Sequence, residues 1–306
     1  MTKQILVLFC LISLVIACSS SESLGPSAGT HDLDTITIRG AATKGPLTGS
    51  TISIYALNSL GSKSGDPLGQ AISVDGIWSI DISNPNNELR LIEAKGGEYI
   101  DESDPETDIN AKRRITLGSD DVLQSILIPG ETTAAINFFT YTLVENLRKE
   151  VFKSTNLVQA FNKVWSRAYN TLGFDPFTEI PADPIEPDIN ATDTEKTYAL
   201  LIGGAAYAIN NATIKTDNTQ ISYTILFAMV QDLADCQLDG FVDFNNERVQ
   251  IPDIPEGLFD DIDIQNEITR FRNNNYEQYI NVTLPTWDQV EFCNADPVLS
   301  QVVPSS

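Results

Sequence analysis

GAATKGPLTGSTISIY, residues 40–55, carries the pattern that decides the fold. After the Gly45-Pro46 turn, Ser50-Thr51-Ile52-Ser53-Ile54-Tyr55 alternates, with Ile52 and Ile54 on one face. Successive side chains of a strand point to opposite faces, so a period of two marks a half-buried strand. Thr35-Ile36-Thr37-Ile38-Arg39-Gly40 alternates upstream, and Ile77–Ile82 and Leu89–Ala94 do so downstream. Turn signals separate these runs: Gly61 to Pro67, Asp75-Gly76, and Asn84 to Asn87. Ile115-Thr116-Leu117 and Val122 to Ile128 add two more strands. Short strands at this spacing predict an antiparallel β-sandwich over residues 35–130.

After Pro129-Gly130 the period becomes helical, with Ile136, Phe139, Leu143 and Leu147 on one face. Asn156 caps a second helix that runs through Leu157, Phe161, Val164 and Ala168 and stops at Gly173. The prolines Pro176, Pro181, Pro184 and Pro187, with acids between them, read as an exposed linker. Thr192 and Glu195 form a capping box ahead of an apolar helix through Leu200, Tyr207 and Ala208. Gly203-Gly204 lies inside that helix and suits close packing of a neighbour. Tyr223 to Cys236 reads as another helix, with Leu226, Met229, Val230 and Leu233 inward. Ile264, Ile268, Phe271 and Tyr279 mark a last one. The expectation is an α+β chain: the sandwich, then a mostly α-helical bundle of about five helices over 131–306.

The N-terminus reads differently. Met1-Thr2-Lys3 gives a short positive start, Ile5 to Ala17 is almost wholly apolar, and Cys18-Ser19-Ser20-Ser21 turns abruptly polar. This is a secretory signal layout. Its apolar run is shorter than the ~20 residues needed to span a bilayer. Residues 1–17 are therefore expected to be a signal peptide. Residues 18–34, rich in Ser, Gly and Pro, are expected to be a flexible tether.

Val15-Ile16-Ala17-Cys18 resembles the lipobox of bacterial lipoproteins. The resemblance implies cleavage after Ala17 and acylation of Cys18. Several acyl chains meet the need for more than one membrane anchor. Ser19 after the anchor, by likeness to proteobacterial sorting rules, favours the outer membrane over the inner.

A second resemblance covers residues 35–130. The stretch 40–55, followed by Val74-Asp75-Gly76-Ile77-Trp78-Ser79, is similar to the carboxypeptidase regulatory-like (prealbumin-like) sandwich. Its Asp75-Gly76 turn is one residue shorter than that family's, and Trp78 stands in place of the usual Tyr. Gly96-Gly97-Glu98-Tyr99-Ile100-Asp101-Glu102 resembles a segment common in bacterial lipoproteins that carry this module before a helical region. The resemblance implies an accessory or binding sandwich rather than a catalytic unit.

Charge and residue inventory exclude several functions. The net charge of -23 repels phosphate backbones and anionic lipid heads, which argues against nucleic-acid binding and against membrane contact through a basic face. His31 is the only histidine and lies in the tether, so no Ser-His-Asp triad and no histidine zinc site belongs to the fold. No Gly-rich phosphate loop or nucleophile elbow is present.

With Cys10 in the leader and Cys18 acylated, Cys236 and Cys293 remain. In an exported chain they suggest one disulfide, the alternative being two buried free thiols. Asp232, Asp235, Asp239 and Asp243 are the best acidic cluster, the last three the candidate Ca²⁺ ligands, although their spacing departs from the EF-hand loop. A helix end followed by a solvated Asp-Gly turn is the simpler reading. Asp101, Glu102, Asp104 and Glu106 form a second acidic loop, also read as solvated. Trp78, Trp165 and Trp287 are expected in the core.

The sequence thus points to a non-enzymatic, lipid-anchored envelope protein for binding, adhesion or envelope assembly, with a protein or glycan partner and no cofactor, calcium apart. The alternative is an envelope glycan hydrolase working through paired carboxylates.

Overall fold

The computed structural model describes residues 35–83, 88–106, 108–154, 156–215, 222–234, 237–244, 247–251 and 254–287. It is mixed α+β, with two antiparallel-rich sheets ahead of the helices. In the three-stranded sheet β1 (Thr35–Thr43) lies between β4 (Ile77–Ser83), antiparallel, and β7 (Thr133–Asn137), parallel. The four-stranded sheet has the order β3 (Lys63–Ile72), β2 (Thr51–Leu57), β5 (Arg90–Ile100), β6 (Arg114–Leu127). Alternation works as read: Ile52 and Ile54 are fully buried, as are Ile38, Trp78, Ile80 and Ile82, while Ile77 faces out.

Five features differ from the sequence reading. The proline stretch 174–191, expected to be an exposed linker, has Pro176, Phe177, Pro181, Pro184 and Ile185 buried. The stretch beginning at Gly61 contains an edge strand, β3. An edge tolerates Pro67, which has no ladder N–H to give. A Cβ on Gly69 would lie 2.5 Å from Ile80 Cγ2, so this glycine makes room for β4 side chains. The two short strands expected at 115–128 are one strand, β6. Ile136 belongs to β7, not to the first helix. Chain direction switches at Asn137, whose Oδ1 accepts from the backbone N–H of Phe139 (2.9 Å) and of Thr140 (3.1 Å), so a strand runs into a helix with no loop. The Asp-Gly turn after 238 opens a small hairpin, β8 (Phe241–Phe244) with β9 (Glu247–Gln250).

Side-chain caps mark the starts of the second and third helices. α1 spans Phe138–Ser154, and α2 spans Leu157–Leu172. In α2, Asn156 accepts from Gln159 N–H and Gly173 closes the other end in the left-handed region. α3 (Asp193–Lys215) follows the Thr192/Glu195 box, in which Thr192 N–H donates to Glu195 at 2.6 Å and Glu195 N–H donates to Thr192 Oγ1 at 3.2 Å. α4 spans Ser222–Leu233, α5 Ile264–Asn274 and α6 Tyr276–Tyr279. Gly203 and Gly204 let α5 approach α3: an added Cβ would fall 2.3 Å from the Phe271 ring and 2.3 Å from Ile268. Tyr223 ties α4 to β6 through both backbone groups of Val122, at 2.8 and 2.9 Å.

One hydrophobic cluster runs from Ile38 and Ile54 in the sheets to Phe139, Leu201 and Phe271 in the helices. Each such side chain contributes about 1.5–3 kcal/mol on full burial. All described residues belong to one compact unit. Among them, no helix is long and apolar enough to cross a membrane.

Candidate functional site

A glycine turn after β1 and a glycine-bearing irregularity within β5 bring the interesting charges together. Thr48 and Glu98 exchange backbone hydrogen bonds, both 2.8 Å, which pins the turn after β1 to the end of β5. Gly45 has φ +63° and Gly97 φ +96°. A Cβ on Gly45 would lie 2.3 Å from the Ile100 carbonyl oxygen, and one on Gly97 would lie 2.8 Å from Ser50 N and Thr48 O. Only glycine fits this approach. It sets Lys44 beside Tyr99, Asp101 and Glu102.

These side chains are buried, which corrects the reading of 101–106 as a solvated loop. Lys44, Asp101 and Glu102 are 3%, 3% and 2% exposed. Lys44 Nζ is 3.6 Å from Glu102 Oε2 and 5.1 Å from the Tyr99 ring centroid. Asp101 accepts from Ser103 N–H (3.0 Å), from Ser103 Oγ (2.7 Å) and from Arg113 Nε (3.0 Å), and it also binds the Arg113 Nη2 group. Arg113 reaches Asn210 of α3 as well, at 3.3 Å.

The titrations follow from this crowding. Burial disfavours the ammonium of Lys44, but Glu102, Tyr99 and Asp101 outweigh it and hold its pKa above the ordinary range. Burial pushes the Glu102 carboxyl up to about 7. Lys44 opposes that shift only in part, because the ammonium is shared with Asp101, whose charge also repels Glu102. The N–H groups of Gly45 and Glu102 favour the charged carboxyl, yet neither of its oxygens has a hydrogen bond of normal geometry. Burial acts on Asp101 too, but Lys44, Ser103 and Arg113 outweigh it and keep this carboxyl below its usual value. Burial raises the Tyr99 hydroxyl to about 12.

In front of this dry cluster lies a groove of about 360 Å³. One wall is the β5–β6 connection: Asp104, Pro105, Glu106, Ile109 and Lys112. That wall is held by its own carboxylates. Asp104 accepts from the N–H groups of Glu106 (3.0 Å) and Arg113 (2.7 Å), and Lys112 Nζ donates to the Asp104 carbonyl at 2.6 Å. Burial would raise Asp104, but these N–H groups and the nearby cations hold it below its usual range. The opposite wall is Asn274, Asn275 and Gln278 at the α5–α6 junction, with Tyr207 of α3 and with Ile185 and Glu186 from the α2–α3 connection. Asn274 Nδ2 donates to Tyr207 Oη at 2.9 Å, and the Arg270 guanidinium lies 5.3 Å from the Tyr207 ring centroid. The tyrosine is thereby fixed in place.

Of the residues singled out in the sequence, Asp101, Glu102, Asp104 and Glu106 meet here and the others do not. Cys18, Cys236, Cys293, Asp235 and His31 lie outside the described residues. Asp239 is engaged elsewhere: it accepts from Phe241 N–H at 3.0 Å and pairs with Arg248 at 2.8 Å, so a guanidinium holds the charge that calcium would need. Asp243 lies in β8. Among the described residues, no three His, Cys, Asp or Glu side chains are placed to hold a metal. Trp78, Trp165 and Trp287 are all buried. Tyr207, Asn274 and Gln278 had no motif to give them away.

No protein-family model matches the chain, and neither a curated protein nor a solved structure matches it.

Proposed function

We propose that this chain is a lipid-anchored envelope protein, not an enzyme, that binds a neutral, hydroxyl-rich ligand such as a glycan segment. In this reading the two sheets face one another as an antiparallel sandwich, and the helices pack on it as a bundle. The groove lined by Asp104, Glu106, Glu186, Asn274 and Gln278 carries the proposal. Carboxylates accept from hydroxyls, and side-chain amides both donate and accept. A chain of net charge -23 disfavours anionic ligands at the same place. A hydrolase would want a groove acid raised towards neutrality, whereas Asp104 is held low.

The lipobox-like Val15–Cys18 supports anchoring at Cys18, with the outer membrane favoured. Two experiments test the reading. A glycan array probed with the full chain should return neutral oligosaccharides; binding confined to polyanions would reject it. Palmitate labelling should mark the wild type and spare Cys18→Ala, which should leave the membrane fraction. An unchanged partition would remove the anchor from the account.

A further inference from the structure

We propose that Lys44 and Glu102 are joined by an isopeptide bond, formed within the folded chain between Lys44 Nζ and Glu102 Cδ. The two side chains are 4% and 0% exposed, and Nζ lies 3.6 Å from Oε2. Both Glu102 oxygens are buried with no hydrogen bond of normal geometry. An ion pair so placed is a poor resting state, because each charge has lost its water and the carboxylate has gained little in return. A single amide replaces both charges with a neutral group.

The step needs no outside reagent. The ammonium first passes one proton to the carboxylate, against the order of their proton affinities, so the reactive amine and carboxylic acid are a minor form of the folded chain. The nitrogen lone pair then attacks Cδ. A second proton passes from the nitrogen to the hydroxyl. The C–OH bond breaks and water leaves. Ammonium and carboxylate thus become amide and water. Fixing the two groups in contact raises their effective concentration to about 10⁵–10⁸ M, which is how an otherwise slow condensation becomes possible. The backbone supplies this fixing, through the Thr48–Glu98 pairing and the close approach of Gly45 to Ile100. The bond would tie the turn after β1, in one sheet, to the end of β5, in the other.

Tandem mass spectrometry of a tryptic digest of the full chain, reduced and denatured, tests this. The expected product is the peptide Gly40–Lys63, uncut after Lys44, joined to Gly96–Lys112 and lighter by one water than the two together. Lys44→Arg should lack this product and release Gly96–Lys112 alone. The proposal is overturned if the wild type yields free Gly45–Lys63 together with Gly96–Lys112 at full mass. It is equally overturned if the fragment ions place the link on another acid of Gly96–Lys112 in place of Glu102. Neither result depends on the variant folding.

Discussion

Asp101 and Glu102 are buried, yet Asp104 and Glu106, only a few residues further on, line an open groove. The local sequence of these four acids gives no reason for the difference. Distant partners make it: Lys44 from the turn after β1 meets Glu102, and Arg113 at the far end of the connection meets Asp101. The lesson is that an acidic run divides according to which cations the fold delivers. One half holds the sheets together, and the other is left on the groove wall.

Removing the buried cation should cost most. Lys44→Met removes both the proposed bond and the partner of Glu102, and loss of one member of a buried pair alone costs about 3–5 kcal/mol. Urea unfolding should report a fall of that size; a loss under about 1 kcal/mol, the range of exposed pairs, would show that the cluster is not structural. Gly97→Ala comes next. Its φ of +96° and the backbone 2.8 Å from the new Cβ predict a loss of about 1–3 kcal/mol. A neutral outcome would mean that the turn is looser than described.

Acid should separate the two halves more gently. The Asp101 pKa is depressed in the folded chain. Its contribution is therefore complete above the unfolded value, about 4, and is lost as pH falls through the lower folded value. Between pH 5 and pH 3, Asp101→Asn should show a shallower decline in stability than the wild type; parallel declines would contradict the pairing. Smallest of all is Glu106→Gln on the groove wall. Its stability should stay within about 0.5 kcal/mol of the wild type, as for ordinary surface changes.

Much of the fold could be read in the residues. Ile52 and Ile54 gave β2, Asn156 and Gly173 bounded α2, and Gly203-Gly204 foretold the close approach of α5. The failures have physical causes. Pro67 and Gly69 look like a turn because only an edge position that makes room for β4 side chains tolerates them in a strand. Ile136 fits a helical period by chance, and only the capping geometry of Asn137 shows where the strand ends. The groove was not legible. Tyr207, Asn274 and Gln278 come from α3, α5 and α6, and only packing brings them opposite Asp104. A lone buried lysine after β1 was the one available hint: Lys44 interrupts a run of small and apolar residues, and a cation there requires a buried acid.

The most direct test is a calorimetric titration of Gln278→Ala against a neutral oligosaccharide selected by the array, with urea unfolding of the same sample. The groove account predicts about tenfold weaker binding, worth ~1.4 kcal/mol, at an unchanged unfolding midpoint. Undiminished affinity would contradict it, as would a midpoint that drops as far as that of Lys44→Met.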